Sequence, residues 1–349
     1  MDDKQLNNWF NKRKDRKKQM NSKSLLEGLL MHNTSVLSTS ITLLESSLKE
    51  DKIVSKELIK SCLPYSGNSI RIGITGVPGV GKSSFIEALG KILLAEGKRI
   101  AVLAIDPSSE ISGGSILGDK TRMEELSNME NVFIRPSPSG KNLGGVAQKT
   151  RESILLCEAA GFDVILIETV GVGQSETMVH SMVDFFLLLM LSGAGDELQG
   201  IKRGIMEMAD SIFITKSDGD NITKAKLASR EYQNALHLFP PNPNGWIPKS
   251  STCSSTKGEN ILKVWTIIKS YENHTKINGW FLKKRQNQDS FWFHETLRDL
   301  ILSQFFNDGL VIEKIQKIEN EINKGNTTSF QAAEEIYQAY LKNNNGANI

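Results

Sequence analysis

Short apolar runs alternate with stretches of helical periodicity through the middle of the chain. Five runs rich in β-branched and other apolar residues predict buried strands, at residues 70–75, 100–105, 164–167, 185–191 and 212–215. Helical patterns lie between them, for example at residues 82–96 and 146–160. Since parallel strands need crossover connections, which are usually helices, this alternation predicts an α/β fold with a mostly parallel central sheet. Ligands of such sheets bind at the carboxyl ends of the strands.

A helical stretch precedes the sheet region. Apolar residues recur at helical spacing from residue 24 to about residue 63, and turn residues follow at 64–68. Four apolar residues of this stretch are expected to share one buried helix face: Leu37, Ile41, Leu44 and Leu48.

The chain after about residue 270 is also helical in pattern, with about three helices that each have an apolar face. Thr328 and Gln331 predict a capping box at the start of the last helix. These helices are too few to fold alone, so we expect them to pack on the body of the protein or on another subunit. The pattern predicts four segments, a disordered basic leader, a helical extension, an α/β domain and a C-terminal helical region, at residues 1–23, 24–68, 69–270 and 271–349.

The composition is typical of a globular chain, because 39% of its 349 residues are hydrophobic and 23% are charged. The longest apolar run, at residues 185–191, is far shorter than the ~20 residues that a membrane-spanning helix needs. The net charge is +2, the sum of +5 in segment 1–23 and −3 in the remaining residues. A basic leader on a nearly neutral body is weak support for nucleic-acid binding. The composition thus predicts neither a membrane nor a nucleic-acid partner.

Three cysteines, Cys62, Cys157 and Cys253, lie far apart in the sequence. This spacing argues against a disulfide scaffold or a zinc site and favours a reducing compartment. Segment 1–23 has no apolar core of a secretory signal. These features predict a cytoplasmic location and leave a mitochondrial origin open.

The first predicted strand runs into the segment GVPGVGKS at residues 76–83, which fits G-x-x-x-x-G-K-[ST]. Its glycines permit a close backbone approach, so that N–H groups and a helix N-terminus face phosphate oxygens. Lys82 brings a positive charge to the β and γ phosphates, and Ser83 offers a hydroxyl to Mg²⁺. The fold is therefore expected to be that of a P-loop NTPase. The candidate phosphate-binding residues are Gly76, Val77, Pro78, Gly79, Val80, Gly81, Lys82, Ser83 and Ser84.

Two acidic residues, Asp106 and Glu168, follow predicted strands at the same edge of the sheet. Both are expected near the phosphate loop, where a hard cation needs oxygen ligands. Glu168 begins the string ETVGVGQ, which resembles a Walker B segment that runs into a γ-phosphate sensor, and Gln174 is a candidate for orienting water. The pattern leaves open which acid touches Mg²⁺ directly. The catalytic candidates are Lys82, Asp106, Glu168 and Gln174.

The last predicted strand runs into the string TKSD at residues 215–218, close to the [NT]-K-x-D pattern of guanine-binding loops. A carboxylate accepts two hydrogen bonds from guanine N1–H and the exocyclic amine, a pair that adenine does not offer. The string TCSSTKG at residues 252–258 resembles the loop whose backbone reads guanine O6. Thr215 stands where Asn is commoner, and Ser255 where Ala is usual. The candidate base-binding residues are Lys216, Asp218, Cys253, Ser254 and Ser255.

Several longer strings resemble one family, the methylmalonyl-CoA mutase-associated GTPases of the MeaB/ArgK group, which are P-loop GTPases of the SIMIBI class. These strings lie at residues 72–83, 104–109, 113–123, 168–176 and 193–202, and the resemblance covers about residues 25–341. It implies that residues 69–270 form the GTPase domain and that residues 271–349 form a dimerisation arm. It also implies mobile switches at residues 112–122 and 195–202.

The resemblance implies a GTPase that binds GTP or GDP with Mg²⁺ and forms a homodimer. Its implied partner is an adenosylcobalamin-dependent acyl-CoA mutase, for which it acts as a chaperone that gates cofactor loading and protects the mutase. Whether a cobalamin adenosyltransferase joins the complex stays open. The implied metal and switch residues are Ser83, Asp106, Asp119 and Glu168.

Two other functions are weighed against this one. Older labels of the family suggest an ATP-dependent kinase of an amino-acid transport system, but Asp218 argues against adenine. A GTPase that inserts nickel needs clustered His or Cys residues, and the five His of the chain are dispersed.

Overall fold

The computed structural model describes residues 21–105, 123–136, 143–169, 175–193 and 203–345. Within these ranges the strands are β1 Ile70–Gly76, β2 Ile100–Ile105, β3 Val132–Arg135, β4 Val164–Thr169, β5 Phe185–Met190, β6 Ser211–Ile214 and β7 Lys249–Thr252. They form one sheet in the order β3-β2-β4-β1-β5-β6-β7, and every neighbouring pair is parallel. The predicted α/β fold with a parallel sheet is confirmed.

Helices connect the strands and extend the chain at both ends. In the part of the chain that the structure describes, the α-helices are α1 Ser22–Leu30, α2 Thr34–Glu45, α3 Lys49–Cys62, α4 Lys82–Ala95, α5 Glu124–Ser127, α6 Leu143–Ala159, α7 Ser175–His180, α8 Arg203–Met208, α9 Ile222–Leu236, α10 Ile261–Ile277, α11 Trp280–Phe306, α12 Gly309–Asn323 and α13 Ser329–Asn345. None of the helices in these ranges combines the length and the apolar character that crossing a lipid bilayer requires.

The sheet separates two helical layers. Helices α4 and α10 cover one face, where Ile72 and Ile74 of β1 lie in a continuous core with Phe85 of α4. Helices α6 and α7 cover the other face, and α1 to α3 pack on α6. A Cβ at Gly73 would lie 2.8 Å from a methyl carbon of Val179 in α7, so this small residue lets α7 approach β1 closely. The residues of the inner strands β1, β2, β4, β5 and β6 are therefore buried on both faces, as is typical of parallel sheets.

The N-terminal helical stretch is interrupted twice. His32 has φ = +60°, and the side chain of Asn33 caps α2 by accepting hydrogen bonds from the backbone N–H groups of the next turn. The chain leaves α2 after Glu45, so Leu48 lies between two helices and is exposed. Leu37 and Ile41 are buried as predicted, but the prediction that Leu48 shares their buried face is wrong because the helix ends before it.

The chain divides into two compact units, Met1–Gln288 and Asp289–Ile349. In the second unit, the ring of Phe305 packs edge-on against Tyr340 with centroids 4.9 Å apart. The N–H of Gln331 donates to Thr328 Oγ1 at 3.2 Å at the start of α13, which supports the predicted cap. The four predicted sequence segments remain predictions, and most of the leader, residues 1–20, lies outside the described residues.

An ionic network lies at the amino ends of β1 and β5, opposite the edge that is expected to bind ligand. Arg71 of β1 donates two parallel hydrogen bonds, each 2.9 Å long, to the carboxylate of Glu158 in α6. The side chains of both residues are at most 5% exposed. Just before β5, the carboxylate of Asp184 accepts hydrogen bonds from the guanidinium of Arg285 in α11 at 2.8 and 2.7 Å. These pairs fasten α6 and the start of α11 to the base of the sheet.

Replacing Glu158 with Gln is expected to lower the free energy of unfolding of the first unit by about 3–5 kcal/mol, because the Arg71 guanidinium stays buried without its counter-charge. Urea denaturation followed by circular dichroism measures this change. Glu313→Gln is the control, since its pair with Lys317 is exposed on both sides and should leave the unfolding midpoint unchanged. Equal midpoints for wild type and Glu158→Gln would contradict the prediction.

Candidate functional site

The predicted phosphate loop connects β1 to α4 at the carboxyl edge of the sheet. Strand β1 ends at Gly76, where a Cβ would lie 2.3 Å from the carbonyl oxygen of Leu189 in β5, so a larger residue does not fit. Gly81 precedes the first residue of α4 and has φ = +94°, a conformation that favours glycine. The first N–H groups of α4, which have no acceptor within the helix itself, consequently lie at the loop, as an anion site requires. The predicted strand–loop–helix context is confirmed.

The side chain of Lys82 folds back over this loop and is buried. Its Nζ donates to the carbonyl oxygen of Gly76 at 2.8 Å and lies 3.5 Å from that of Val77. The ammonium group therefore lies beside the N-terminus of α4, where the helix dipole is also positive. Positive charge is concentrated where phosphate oxygens are expected to bind.

Ser83 and Glu168 meet next to the loop. The hydroxyl of Ser83 donates to Glu168 Oε1 at 3.3 Å, and Glu168 is 5% exposed near the end of β4. A hydroxyl beside a carboxylate offers the hard oxygen ligands that Mg²⁺ prefers, so this pair fits the predicted metal site. Among the described residues, no three His, Cys, Asp or Glu side chains form a metal-binding cluster.

Thr215 joins the predicted base-binding loop to the phosphate loop. Its buried hydroxyl donates to the carbonyl oxygen of Val80 at 2.7 Å and lies 3.3 Å from that of Met190 in β5. The sequence has Thr at this position, where Asn is commoner. The contact shows that the Thr hydroxyl can bond to the phosphate loop from this position. The two halves of the site are therefore tied together through the backbone of the phosphate loop.

Asp218 is held by the loop that follows β7. The hydroxyl of Ser254 donates to Asp218 Oδ2, and the N–H of Ser217 donates to the carbonyl oxygen of Cys253 at 3.1 Å. Ser254 is fully buried, whereas Asp218 is half-buried and accessible to a ligand. The structure therefore brings together the two segments that the sequence predicts to bind guanine.

Cys253, a predicted base-binding residue, has a buried side chain. It lies in the core between the sheet and α10, and burial raises the pKa of the thiol to about 12. Its backbone N–H donates to the carbonyl oxygen of Ile214 at 2.8 Å, and its carbonyl oxygen accepts a hydrogen bond from the N–H of Ser217. Its role in nucleotide binding stays a prediction.

A groove of about 520 Å³ lies between α4 and the loop after β7. Ser84 and Ser255, both predicted to bind nucleotide, line it together with Glu87 and Lys91. Another groove, of about 530 Å³, is lined in part by four prolines and Trp246, and its lining contains none of the predicted site residues. Of these two grooves, the first is the one that borders predicted nucleotide-binding residues.

Three predicted site residues, Asp106, Asp119 and Gln174, lie outside the described residues. Their assigned roles stay predictions.

Comparison with known proteins bears on the same segments. A family model described as "Methylmalonyl Co-A mutase-associated GTPase MeaB" matches residues 37–309, which include the phosphate loop, Glu168 and both base-binding segments. The chain belongs to the MeaB family. Members of this family are GTPases, so the chain is a P-loop enzyme that binds guanine nucleotide and hydrolyses GTP.

Two relatives and one solved structure resemble this MeaB-family chain over most of its length. "GTPase ArgK" of Escherichia coli is 46% identical over 77% of this chain and 82% of the relative. "Methylmalonic aciduria type A homolog, mitochondrial" of Mus musculus is 42% identical over 90% of this chain and 79% of the relative. A crystal structure of "LAO/AO transport system kinase" superposes with a TM-score of 0.73 at 34% identity, covering 92% of this chain and 97% of that one. The predicted fold and family are confirmed.

Proposed function

We propose that the chain is a GTPase chaperone of an adenosylcobalamin-dependent acyl-CoA mutase of the methylmalonyl-CoA mutase type. The observation that carries this proposal is the family match over residues 37–309. The name of the mouse relative, which refers to methylmalonic aciduria, supports the same function. In this role, GTP binding and hydrolysis gate the loading of cofactor and protect the mutase. A cobalamin adenosyltransferase is a further proposed partner.

The geometry of the site supports a role for each described residue. Lys82 binds the β and γ phosphates, and Ser83 with Glu168 holds Mg²⁺, which when bound neutralises charge on the phosphates. Lys216 lies over the base, and Asp218 accepts its hydrogen bonds. Asp106 and Asp119 are proposed as further acids near the metal, and Gln174 as the residue that orients the attacking water.

GTP turnover measured with and without a purified adenosylcobalamin-dependent mutase tests the proposed function. We expect the mutase to raise turnover at least about tenfold. A partner that orders the catalytic groups produces this change if it lowers the activation free energy by about 1.4 kcal/mol. An acyl-CoA enzyme that uses no cobalamin serves as the control and should have no effect. Unchanged turnover with the mutase, together with equal affinity for ATP and GTP, would overturn the proposal.

The C-terminal helices support a homodimer. Leu297, Leu300 and Ile301 lie at helical spacing on α11 and are exposed, as is Phe330 at the start of α13. A row of exposed apolar side chains on one helix is typical of an interface. Because the family resemblance assigns dimerisation to this region, we propose that a second copy of the chain covers the row.

The double substitution of Leu300 and Ile301 by Glu is expected to convert the dimer into a monomer, since two carboxylates would be buried without partners in the interface. Light scattering coupled to gel filtration measures the mass. Leu227→Glu is the control, because Leu227 is equally exposed on α9 and should leave the mass unchanged. A wild-type chain that is monomeric at micromolar concentration would contradict the prediction.

The cysteines support a cytoplasmic location, which we also propose. All three are buried free thiols, and burial raises the pKa of Cys62 to about 11. Thiols with a raised pKa form little thiolate, so they are poor redox centres and suit a reducing compartment. We propose no membrane or nucleic-acid partner.

An ATP-dependent kinase of an amino-acid transport system is the second candidate, because the structure that superposes on this chain is named LAO/AO transport system kinase. The carboxylate of Asp218, which is held by Ser254 and accessible to a ligand, can accept the pair of hydrogen bonds that guanine offers and adenine does not, and this favours the first candidate. Incubation of transport proteins with labelled ATP separates the two, because phosphate transfer is expected only from a kinase.

A further inference from the structure

The backbone beside Asp218 adopts a conformation that needs external support. Lys216 has φ = +53°, in the left-handed region that residues with a side chain seldom adopt. Such a conformation persists only where surrounding contacts hold it, and it is often found at ligand sites. Lys216 lies two residues before Asp218, so its backbone conformation determines the direction in which the Asp218 side chain projects from the loop.

The side chain of Asn221 provides the contacts that hold this conformation. Its Nδ2 donates to the carbonyl oxygen of Lys216 at 2.7 Å, and its Oδ1 accepts a hydrogen bond from the hydroxyl of Ser192 at 2.6 Å. The backbone N–H of Asn221 also donates to the carbonyl oxygen of Asp218 at 3.1 Å. Asn221 thus closes a ring of hydrogen bonds around Asp218 and ties that ring to Ser192, the second residue after the end of β5.

The position of Asn221 in the sequence suggests a different role, because Asn immediately before a helix is a favoured N-cap. Asn221 directly precedes α9, yet its side chain makes no capping hydrogen bond to that helix. Both of its polar groups are used on Lys216 and Ser192 instead. Helix capping therefore does not account for an amide side chain at this position.

We propose that Asn221 is a positioning residue for guanine recognition. It holds the Lys216 backbone so that the Asp218 carboxylate, which also accepts a hydrogen bond from Ser254, faces the N1–H and exocyclic amine of the base. The phosphate loop is held through separate contacts, those of Lys82 and Thr215. Loss of the Asn221 amide consequently acts on base discrimination and spares phosphate binding. This inference rests on guanine binding through Asp218.

The test compares Asn221→Ala and Asn221→Ser with the wild-type chain. Calorimetry in the presence of Mg²⁺ measures Kd for three probes: GDP, inosine diphosphate, which lacks the exocyclic amine, and inorganic tripolyphosphate, which reports the phosphate loop alone. We expect GDP to bind about tenfold more weakly to both variants, the effect of losing the one hydrogen bond that holds the Lys216 backbone. The preference for GDP over inosine diphosphate should fall, and Kd for tripolyphosphate should change less than about twofold. Ser is as good an N-cap as Asn but has no amide group, so Asn221→Ser separates capping from positioning.

Several results would overturn the inference. Recovery of wild-type binding in Asn221→Ser assigns the residue to capping, and equal weakening of GDP and tripolyphosphate assigns it to general structure. If a thermal unfolding curve shows that either variant is not folded, Ser192→Ala provides a second measurement. This substitution removes the hydrogen bond from Ser192 to Asn221 and keeps the one from Asn221 to Lys216. We expect a smaller loss of GDP preference in that variant, and an unchanged preference contradicts the inference. A wild-type chain that binds ADP as well as GDP overturns guanine reading by Asp218 itself, a separate failure.

Discussion

Lys82→Ala is expected to abolish tight binding of GTP and GDP, with Kd raised at least about a hundredfold. The buried ammonium group lies over the phosphate loop, at the N-terminus of α4, and the substitution removes that charge from the place where the β and γ phosphates bind. Each hydrogen bond to a charged group contributes about 1.5–3 kcal/mol, and two phosphates lose such a partner. Titration with a fluorescent GDP analogue measures the change in Kd.

Lys98→Ala provides the matched control for this substitution. Lys98 lies just before the amino end of β2, at the end of the sheet opposite the phosphate loop, and its partly exposed ammonium group is 3.9 Å from Asp163 Oδ1. Affinity for GDP should therefore stay at the wild-type value. Retained affinity in Lys82→Ala, in a variant that unfolds at the wild-type temperature, would show that the segment at residues 76–83 does not bind phosphate as we describe.

The second large effect concerns base choice, since Asp218→Asn is expected to replace guanine by xanthine as the preferred base. The Asn amide donates a hydrogen bond where the carboxylate accepted one, and xanthine carries a carbonyl oxygen in place of the exocyclic amine of guanine. A site that leaves polar groups unpaired rejects the wrong ligand by about 10⁴-fold, so we expect GTP affinity to fall about a thousandfold or more. Competition between GTP and XTP for a labelled nucleotide measures the exchange of preference.

Asp220→Asn is the control for base choice, because Asp220 is an exposed carboxylate in the short helical turn that follows Asp218. It should keep the wild-type preference for GTP. If Asp218→Asn also kept that preference, the base would have to be read by other groups, and the pairing of Asp218 with Ser254 would be structural.

The central strands could be predicted because each is a short run rich in apolar residues and is buried on both faces, as in β1, β4 and β5. The edge strands β3 and β7 have four residues each and are only partly buried. With Lys249, Ser250 and Ser251 in β7, no apolar run marks the strand, and its sheet position depends on pairing with β6. Short edge strands are therefore found from tertiary contacts rather than from local pattern.

The N-terminal helices show a second limit of pattern reading. The apolar spacing from Leu37 to Leu48 continues across the end of α2, so periodicity alone predicts one helix where the chain forms two. The start of α2 is marked in the sequence, because Asn is a residue that favours the N-cap position and Asn33 occupies that position in the structure. Sequence position still does not show that Arg71 and Glu158, 87 residues apart, form a buried pair.

The strand–loop–helix context of the phosphate loop was predictable, since the segment at residues 76–83 fits G-x-x-x-x-G-K-[ST] at its fixed positions. The contacts of the base loop were not predictable in the same way. Thr215 departs from the common Asn, and the sequence does not show that its hydroxyl reaches Val80. Asn221 has the residue type and position of a helix cap, so its contacts with Lys216 and Ser192 are seen only in the folded chain.

The hydrogen bond from Thr215 to Val80 has a consequence for ligands smaller than a nucleotide. Because one hydroxyl joins the two loops, ordering either loop lowers the entropy lost when the other is ordered. Guanosine and inorganic pyrophosphate, supplied as separate fragments, should consequently bind cooperatively, so that each fragment lowers the Kd of the other.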